Sequence, residues 1–220
     1  MSNTTPHKDF FDRHIKSLAG QRAKHYLFDT IRFFNYAAVP LHMVRRYSGT
    51  FRNKKLNLGC GPTYVAGWVN VDGNPFRKKD LWLDVRMNWP FENGSIDGIV
   101  AAHIIEHLFD EELEHFFKEV QRVIKKGGFL HIEVPSLELL VERYQQHQNA
   151  ERFNEIAHWH GAHHQLFDNI RLRSLLEAHG FSEIDYSLAK KSSRFLSEPE
   201  LEEICLRPDE TLTVEGVRNR

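Results

Sequence analysis

Short apolar runs, each closed by glycine, proline or an acid, dominate the middle of the chain, and one long amphipathic stretch separates two of them. Lys55-Leu-Asn-Leu58 reads as a strand that runs into the turn Gly59-Cys60-Gly61. Val69-Asn-Val-Asp72 and Asp80-Leu-Trp-Leu-Asp84 are shorter runs, each ending in an acid. A turn-rich link, Pro90 to Asp97, leads into the strand Gly98-Ile-Val-Ala-Ala102 and then into His103-Ile-Ile-Glu-His-Leu108. From about Asp110 the spacing changes. Leu113, Phe116, Phe117, Val120 and Ile124 fall on one face of a helix. Asp110 is its expected N-cap, and Lys125, Lys126 and Gly127 its expected stop. Gly128 to Val134 is the next strand, closed by Pro135. Nearer the N-terminus, Phe11, Ile15 and Leu18 mark one helix, and Leu27, Ile31 and Phe34 a second that Pro40 should end.

The glycine turn and the acid after it carry the first chemical information. Glycines let a backbone approach a nucleotide-like ligand, and a carboxylate closing the next strand can accept from ribose hydroxyls. The dinucleotide fingerprint has a third glycine and places its acid about 20 residues on. Here Pro62, Thr63 and Tyr64 follow Gly61, and Asp72 arrives 13 residues after Gly59. No crossover helix fits between Gly61 and Trp68, so a loop or single turn is expected there. The phosphate loop G-x-x-x-x-G-K-[ST] is absent from the sequence as well. A ligand without phosphates therefore fits better than a pyrophosphate. On this motif alone, a turn that uses glycine for purely structural reasons fits equally well.

Five signals in order, Leu56-Asn-Leu-Gly-Cys-Gly61, Asn70-Val-Asp72, Leu83-Asp-Val85, the Pro90-Phe…Ile96-Asp…Glu106-His-Leu block and Arg122-Val-Ile-Lys-Lys-Gly-Gly-Phe-Leu130, span roughly residues 54–135. Together they resemble the class I S-adenosylmethionine (SAM)-dependent methyltransferases of the small stand-alone bacterial type, with a methyltransferase type 11-like domain. A weaker likeness returns at Leu175-Leu-Glu-Ala-His-Gly-Phe181, similar to that family's last helix and its turn into strand six. Thr211 to Val217 then reads as the closing strand. The resemblance implies an α/β, Rossmann-like fold with a seven-stranded, mostly parallel sheet, helices on both faces and an antiparallel last strand. The expected division is a helical N-terminal extension over 1–53 and the methyltransferase domain over 54–220.

The same resemblance implies site roles. Gly59, Cys60 and Gly61 would lie against the methionine and ribose of SAM, with Asn57 orienting the loop and Asp72 on the ribose hydroxyls. Asp84 and the Val85 N–H would meet the adenine, and His103 and Ile104 would border the cofactor and face the substrate. Two departures stand out: Asn57 replaces the usual acid two before the first glycine, and Thr63 replaces the third glycine. The shortened crossover should leave a gap on one face of the sheet, which the N-terminal segment is expected to fill. A hydroxyl acceptor needs its proton removed, work that suits histidine near neutral pH. The candidates are His103, His160 and His164, within a set that also includes His158 and His163. That cluster fits a structural role, substrate contact or a metal; no metal is expected. Glu106-His107 is read as a cap and packing pair, Glu133 as facing either the site or solvent, and Tyr64 and Trp68 as core aromatics or ligand-stacking ones.

Composition adds bounds. The 41% hydrophobic and 27% charged residues are ordinary for a globular chain. Neither a leader-like apolar segment nor an apolar run of 18 residues occurs, and two cysteines make no disulfide framework, so a cytoplasmic enzyme is expected. The net charge of −1 hides an asymmetry. Residues 1–55 hold eleven lysines and arginines against three aspartates, and the remainder is correspondingly acidic. The basic helices would pack on the sheet, touch an anionic membrane surface, or contact a glycan or nucleic acid. A nucleic-acid substrate is disfavoured, because no binding module accompanies the charge. The expected acceptor is a small molecule or a sugar or glycan-type hydroxyl. The rival from another class is a SAM-binding partner or scaffold protein that has lost catalysis, and the motif spacing argues against a nicotinamide-dependent dehydrogenase.

Overall fold

The computed structural model describes residues 51–74, 76–158, 161–189, 192–205 and 207–219. The helices expected within residues 1–53, and the gap-filling role given to them, lie outside the described residues apart from Phe51 to Asn53. Seven strands form one sheet in the order β3-β2-β1-β4-β5-β7-β6. They are β1 (Lys54–Leu58), β2 (Val69–Asp72), β3 (Leu81–Trp82), β4 (Ile96–Ala102), β5 (Ile124–Pro135), β6 (Phe181–Leu188) and β7 (Thr211–Arg218). β7 runs antiparallel between β5 and β6, and the pairings among β1 to β5 are parallel. The expected seven-stranded, mostly parallel sheet with an antiparallel closing strand is the one observed.

Strand alternation sorts the side chains into two unlike faces. Leu56, Leu58, Val69, Val71, Ile99, Ala101, Leu130, Ile132, Leu212 and Val214 share one apolar core. Helix α1 (Asp110–Val123) adds Leu113, Phe116, Phe117, Val120 and Val123 to it, and α4 (Asn169–Ala178) adds Leu172 and Leu176. The α1 N-cap differs from expectation by one residue, while the expected stop Lys125, Lys126 and Gly127 falls inside β5, which begins four residues before the expected Gly128. Phe109 is the N-cap, its N–H donating to the Glu112 carboxylate, and Ile124 opens β5 instead of closing the helix. Between β5 and α4 lie α2 (Leu137–His147) and α3 (Ala150–His158).

The first crossover, residues 59–68, holds no helix, as its length requires. The second face of the sheet is covered instead from the far end of the chain. Residues 189–208 carry helix α5 (Glu198–Ile204). Leu196, Leu201 and Ile204 pack with Val65, Trp68, Val100 and Phe129, and Phe195 stacks on Phe129 at 4.8 Å. Glu200 fixes the contact: its carboxylate accepts from Trp68 Nε1 at 2.7 Å and lies 3.4 Å from Lys55 Nζ. Burial would raise the Glu200 carboxyl, but its bonds to Ser197 and Trp68 and the nearby Lys55 charge hold it at about 2. Trp68 is thus a core residue bonded to α5. Among the described residues no helix is long and apolar enough to cross a membrane.

If α5 is part of the core, Leu201→Ala should lower the unfolding free energy by about 2–5 kcal/mol, as large-to-small core changes do. Urea denaturation measures this; a loss near zero would show that the segment is detachable.

Candidate functional site

The first catalytic-type geometry sits where β1, β2 and β4 end. Gly59 and Gly61 both have positive φ, 57° and 55°. A Cβ at Gly59 would lie 2.7 Å from Ile104 Cδ1, so the buried Ile104 side chain is seated against the turn. At Gly61 a Cβ would meet only the Gly59 carbonyl, at 3.8 Å, which leaves a backbone cradle. Asp72 closes the turn from below. One oxygen accepts from Gly61 N at 2.7 Å and the other from Asn74 N at 2.6 Å. A carboxylate has about four acceptor positions, so these two bonds orient Asp72 and leave capacity for hydroxyl donors.

The substitution at position 57 has a local reason. Asn57 Nδ2 donates to the Thr63 carbonyl and to Asn70 Oδ1, both at 3.1 Å. Asn70 Oδ1 also accepts from Val65 N, while its Nδ2 donates to Val65 O and Asp80. Two amides therefore tie the helix-free loop to β1 and β2, work that needs a donor at 57 and that an acid cannot do. Tyr64 is held by Asp80 at 2.8 Å and covered by Lys78 Nζ, 3.8 Å from its ring. Burial, with the nearby Asp72 charge adding to it, pushes the Cys60 thiol up to about 11, so it is no nucleophile near neutral pH.

Asp84 is engaged by a residue the sequence reading passed over. Arg86 reaches both of its oxygens, with Nη2 at 2.6 Å and Nε at 2.9 and 3.1 Å. Val85 is partly buried against the core, and its carbonyl accepts from Trp89 Nε1.

Beyond β4 the chain turns sharply. His103 has φ 54°, a left-handed conformation that is uncommon outside glycine, and its N–H donates to the Glu133 carbonyl. Thr211 donates its hydroxyl proton to the Arg207 carbonyl at 2.6 Å and lies 3.3 Å from His103 Nε2. His103 Nε2 must therefore be the donor in that pair, which leaves Nδ1 as the basic atom, 3.3 Å from Glu106 Oε1. Glu106 belongs to a short 3-10 turn, Ile105–His107. The link after α3 is clamped onto this turn: the Glu106 carbonyl accepts from His164 N and Gln165 N, and Ala162 O lies 2.9 Å from His107 Nδ1. The His163 and His107 rings meet edge-on at 4.9 Å, and burial holds His163 below its ordinary value despite the Glu106 charge. The His164 ring stacks on Phe109 at 3.9 Å. His160 lies outside the described residues, and the His158 side chain is exposed.

The fold thus brings His103, Ile104, Glu106, His107 and His163 together beside the glycine turn. Sequence reasoning gave Glu106 only a cap and packing role; the signal for more was its place three residues after His103 and next to His107. Glu133 corrects another expectation. It is fully buried, turned neither to solvent nor to an open cleft, and bonded through Oε1 to His131 Nε2 at 3.0 Å. His131 Nδ1 contacts Glu215 at 2.7 Å. Burial works against a charged His131, yet the two carboxylates outweigh it and raise the imidazole. Burial likewise raises Glu215, while His131 and Ser193 bring it down to about 2. A cavity of about 260 Å³ between α2 and α3, with Leu140, Arg143 and Phe153 in its wall, includes none of the predicted site residues.

The chain matches a family described as methyltransferase domain over residues 42–185. Solved structures of similar fold include a SAM-dependent methyltransferase from Archaeoglobus fulgidus, 18% identical, covering 80% of this chain and 92% of that one, with a TM-score of 0.50. Another, from Thermotoga maritima, is described as a possible histamine N-methyltransferase; it is 17% identical over 93% of this chain and 98% of that one, TM-score 0.52. A third is the Burkholderia thailandensis 1,6-didemethyltoxoflavin-N1-methyltransferase with bound 1,6-didemethyltoxoflavin and S-adenosylhomocysteine, 12% identical over 100% and 93%, TM-score 0.50. At these identities the likeness is one of fold.

Two predictions follow from the packing. Asn57→Asp should destabilise the protein by about 1–3 kcal/mol, because a carboxylate would face the Thr63 carbonyl and Asn70 Oδ1 without a donor; thermal and urea unfolding test it, and an unchanged midpoint refutes it. The His131 contribution is present below its unfolded value of about 6.5 and lost as pH rises through the raised folded value. The Glu215 contribution is present above the carboxylate range and lost as pH falls toward about 2. Stability should thus decline on the alkaline side, and His131→Gln should flatten that limb in urea titrations across pH.

Proposed function

Because this chain belongs to the methyltransferase-domain family and is a SAM-dependent methyltransferase of class I fold, we propose that it methylates a hydroxyl of a small-molecule or sugar-type acceptor. The observation that supports a hydroxyl is the set of imidazoles around a buried carboxylate just past β4, on the side where ligands meet such sheets. An amine can attack with its own lone pair, whereas a hydroxyl needs a base.

The cradle fits the cofactor. Gly59 and Gly61 would let the backbone lie against its methionine and ribose, Asn57 would hold the loop, and Asp72 would accept from ribose hydroxyls with its remaining capacity. Asp84, shared with Arg86, and the Val85 N–H would meet the adenine, and Ile104 would wall the turn. When bound, SAM supplies an electrophilic methyl group on a sulfonium. The protein's work is then to align the acceptor and remove its proton; alignment can supply much of the rate. His103 is the proposed base through Nδ1, and the imidazolium it becomes would lie 3.3 Å from Glu106 Oε1, an ion pair in place.

Calorimetric titration with SAM, S-adenosylhomocysteine and NAD(H), followed by an acceptor screen beginning with sugars and nucleotide-sugars, tests this reading. Asp72→Ala should weaken adenosyl-ligand binding by about 1.5–3 kcal/mol, the range for bonds to a charged group; unchanged affinity in a folded variant would remove Asp72 from the ribose. His103→Ala should lower turnover far more than cofactor affinity, and equal losses would make it a cofactor contact.

A further inference from the structure

Glu106 is anomalous among the acids of the described chain. Its side chain is 1% exposed, and neither carboxylate oxygen has a hydrogen-bond partner. Buried carboxylates are neutralised, paired or bound to a cation. The groups that surround this one are imidazoles: His103 Nδ1 at 3.3 Å, and His107 Nε2 and His163 Nε2 at 4.0 Å each from Oε1.

The backbone fixes which nitrogens face the carboxylate. His107 Nδ1 lies 2.9 Å from the Ala162 carbonyl and His163 Nδ1 lies 2.9 Å from the Ile156 carbonyl. A carbonyl only accepts, so both Nδ1 atoms carry the proton, and in the neutral rings both Nε2 atoms carry lone pairs. Lone pairs from two imidazoles and a carboxylate oxygen therefore converge on one point, all within 4.8 Å of one another. Unless a proton or a metal cation lies between them, these groups repel. A ring held from behind through its other N–H by a carbonyl is also the arrangement that orients metal-binding histidines.

We propose that Glu106, His107 and His163 bind one divalent transition-metal ion beside His103. Mixed imidazole and carboxylate ligands suit Zn²⁺, Mn²⁺ or Fe²⁺, whereas Mg²⁺ and Ca²⁺ take oxygen. Ligand atoms about 2.0–2.1 Å from a tetrahedral Zn²⁺ stand roughly 3.3 Å apart, so the three groups need to close by about 1 Å. Three protein ligands leave a position open. On the methyltransferase reading above, an acceptor hydroxyl would take that position, where the cation eases loss of its proton.

The test uses the tag-free full chain, stripped with chelator and titrated with Zn²⁺, with Co²⁺ as a spectroscopic probe and elemental analysis for stoichiometry. Expected are one ion per chain, Co²⁺ absorption bands of a four- or five-coordinate site, and affinity losses beyond about tenfold in Glu106→Gln and His107→Ala. His107 is partly exposed, so its variant should fold even if Glu106→Gln does not, and circular dichroism checks both. His147→Ala, exposed on α2, should bind as the parent does. Substoichiometric uptake, affinity unchanged in the two site variants, or Mg²⁺ bound in preference to Zn²⁺ would overturn the proposal. Adenosyl-ligand titration of the same samples keeps the two readings apart: metal without cofactor sinks the methyltransferase site, and cofactor without metal sinks this one.

Discussion

The sheet has one apolar face and one that mixes polar with apolar side chains, and the rest of the structure follows from having to bury both. The first face is filled by α1 and α4 against branched and aromatic side chains. The second presents Lys55, Asn57, Asn70, Asp72, His131, Glu133, Thr213 and Glu215, and most of these are buried. Buried polar groups must find partners, because an unmade hydrogen bond costs more than a made one contributes. Each device on that face answers this constraint. Asn57 pairs with Asn70, Glu200 reaches Trp68 and Lys55, and His131 stands between two carboxylates.

The short first connection accounts for part of the polarity of the second face. With no helix between β1 and β2, that face is covered by the loop itself and by α5 from the other end of the chain. A loop brings backbone groups that need donors and acceptors, so amides at 57 and 70 suit it better than a charged side chain. The departure that made an inactive scaffold worth considering thus has a structural reason, and Asp72 keeps one oxygen on Gly61 N of the turn and the other on Asn74 N.

Much of this was legible in the sequence. The strands of the parallel half, α1 with its aromatic face and the helix-free crossover all followed from periodicity and spacing. Local signals lost their reach in two places. Trp68 and residues 195–205 meet across more than 120 positions of chain, and nothing in either segment names the other. The α2 and α3 segment was passed over although Leu137, Leu140, Val141 and Tyr144 recur at helical spacing; each helix buries few side chains, Leu140 on one, Ile156 and Ala157 on the other. Glu106 is the sharper case. Glutamate beside histidine after a strand reads as a surface cap, and only the return of residues 162–165 onto the turn removes it from water.

The polar atoms left over are therefore informative by position. Among the described residues, the buried side-chain atoms lacking a partner include both oxygens of Glu106, Glu133 Oε2 and Thr213 Oγ1. Glu133 pairs with Thr213 in register and with Ala102, the residue before His103, so these orphans gather at the carboxyl end of β4 and β5. Ser187 Oγ on β6, in register with Thr213, is a further one. In such α/β sheets ligands meet the carboxyl ends of the strands, so Glu106, whose two oxygens both lack a partner just past β4, is the orphan that most needs an explanation.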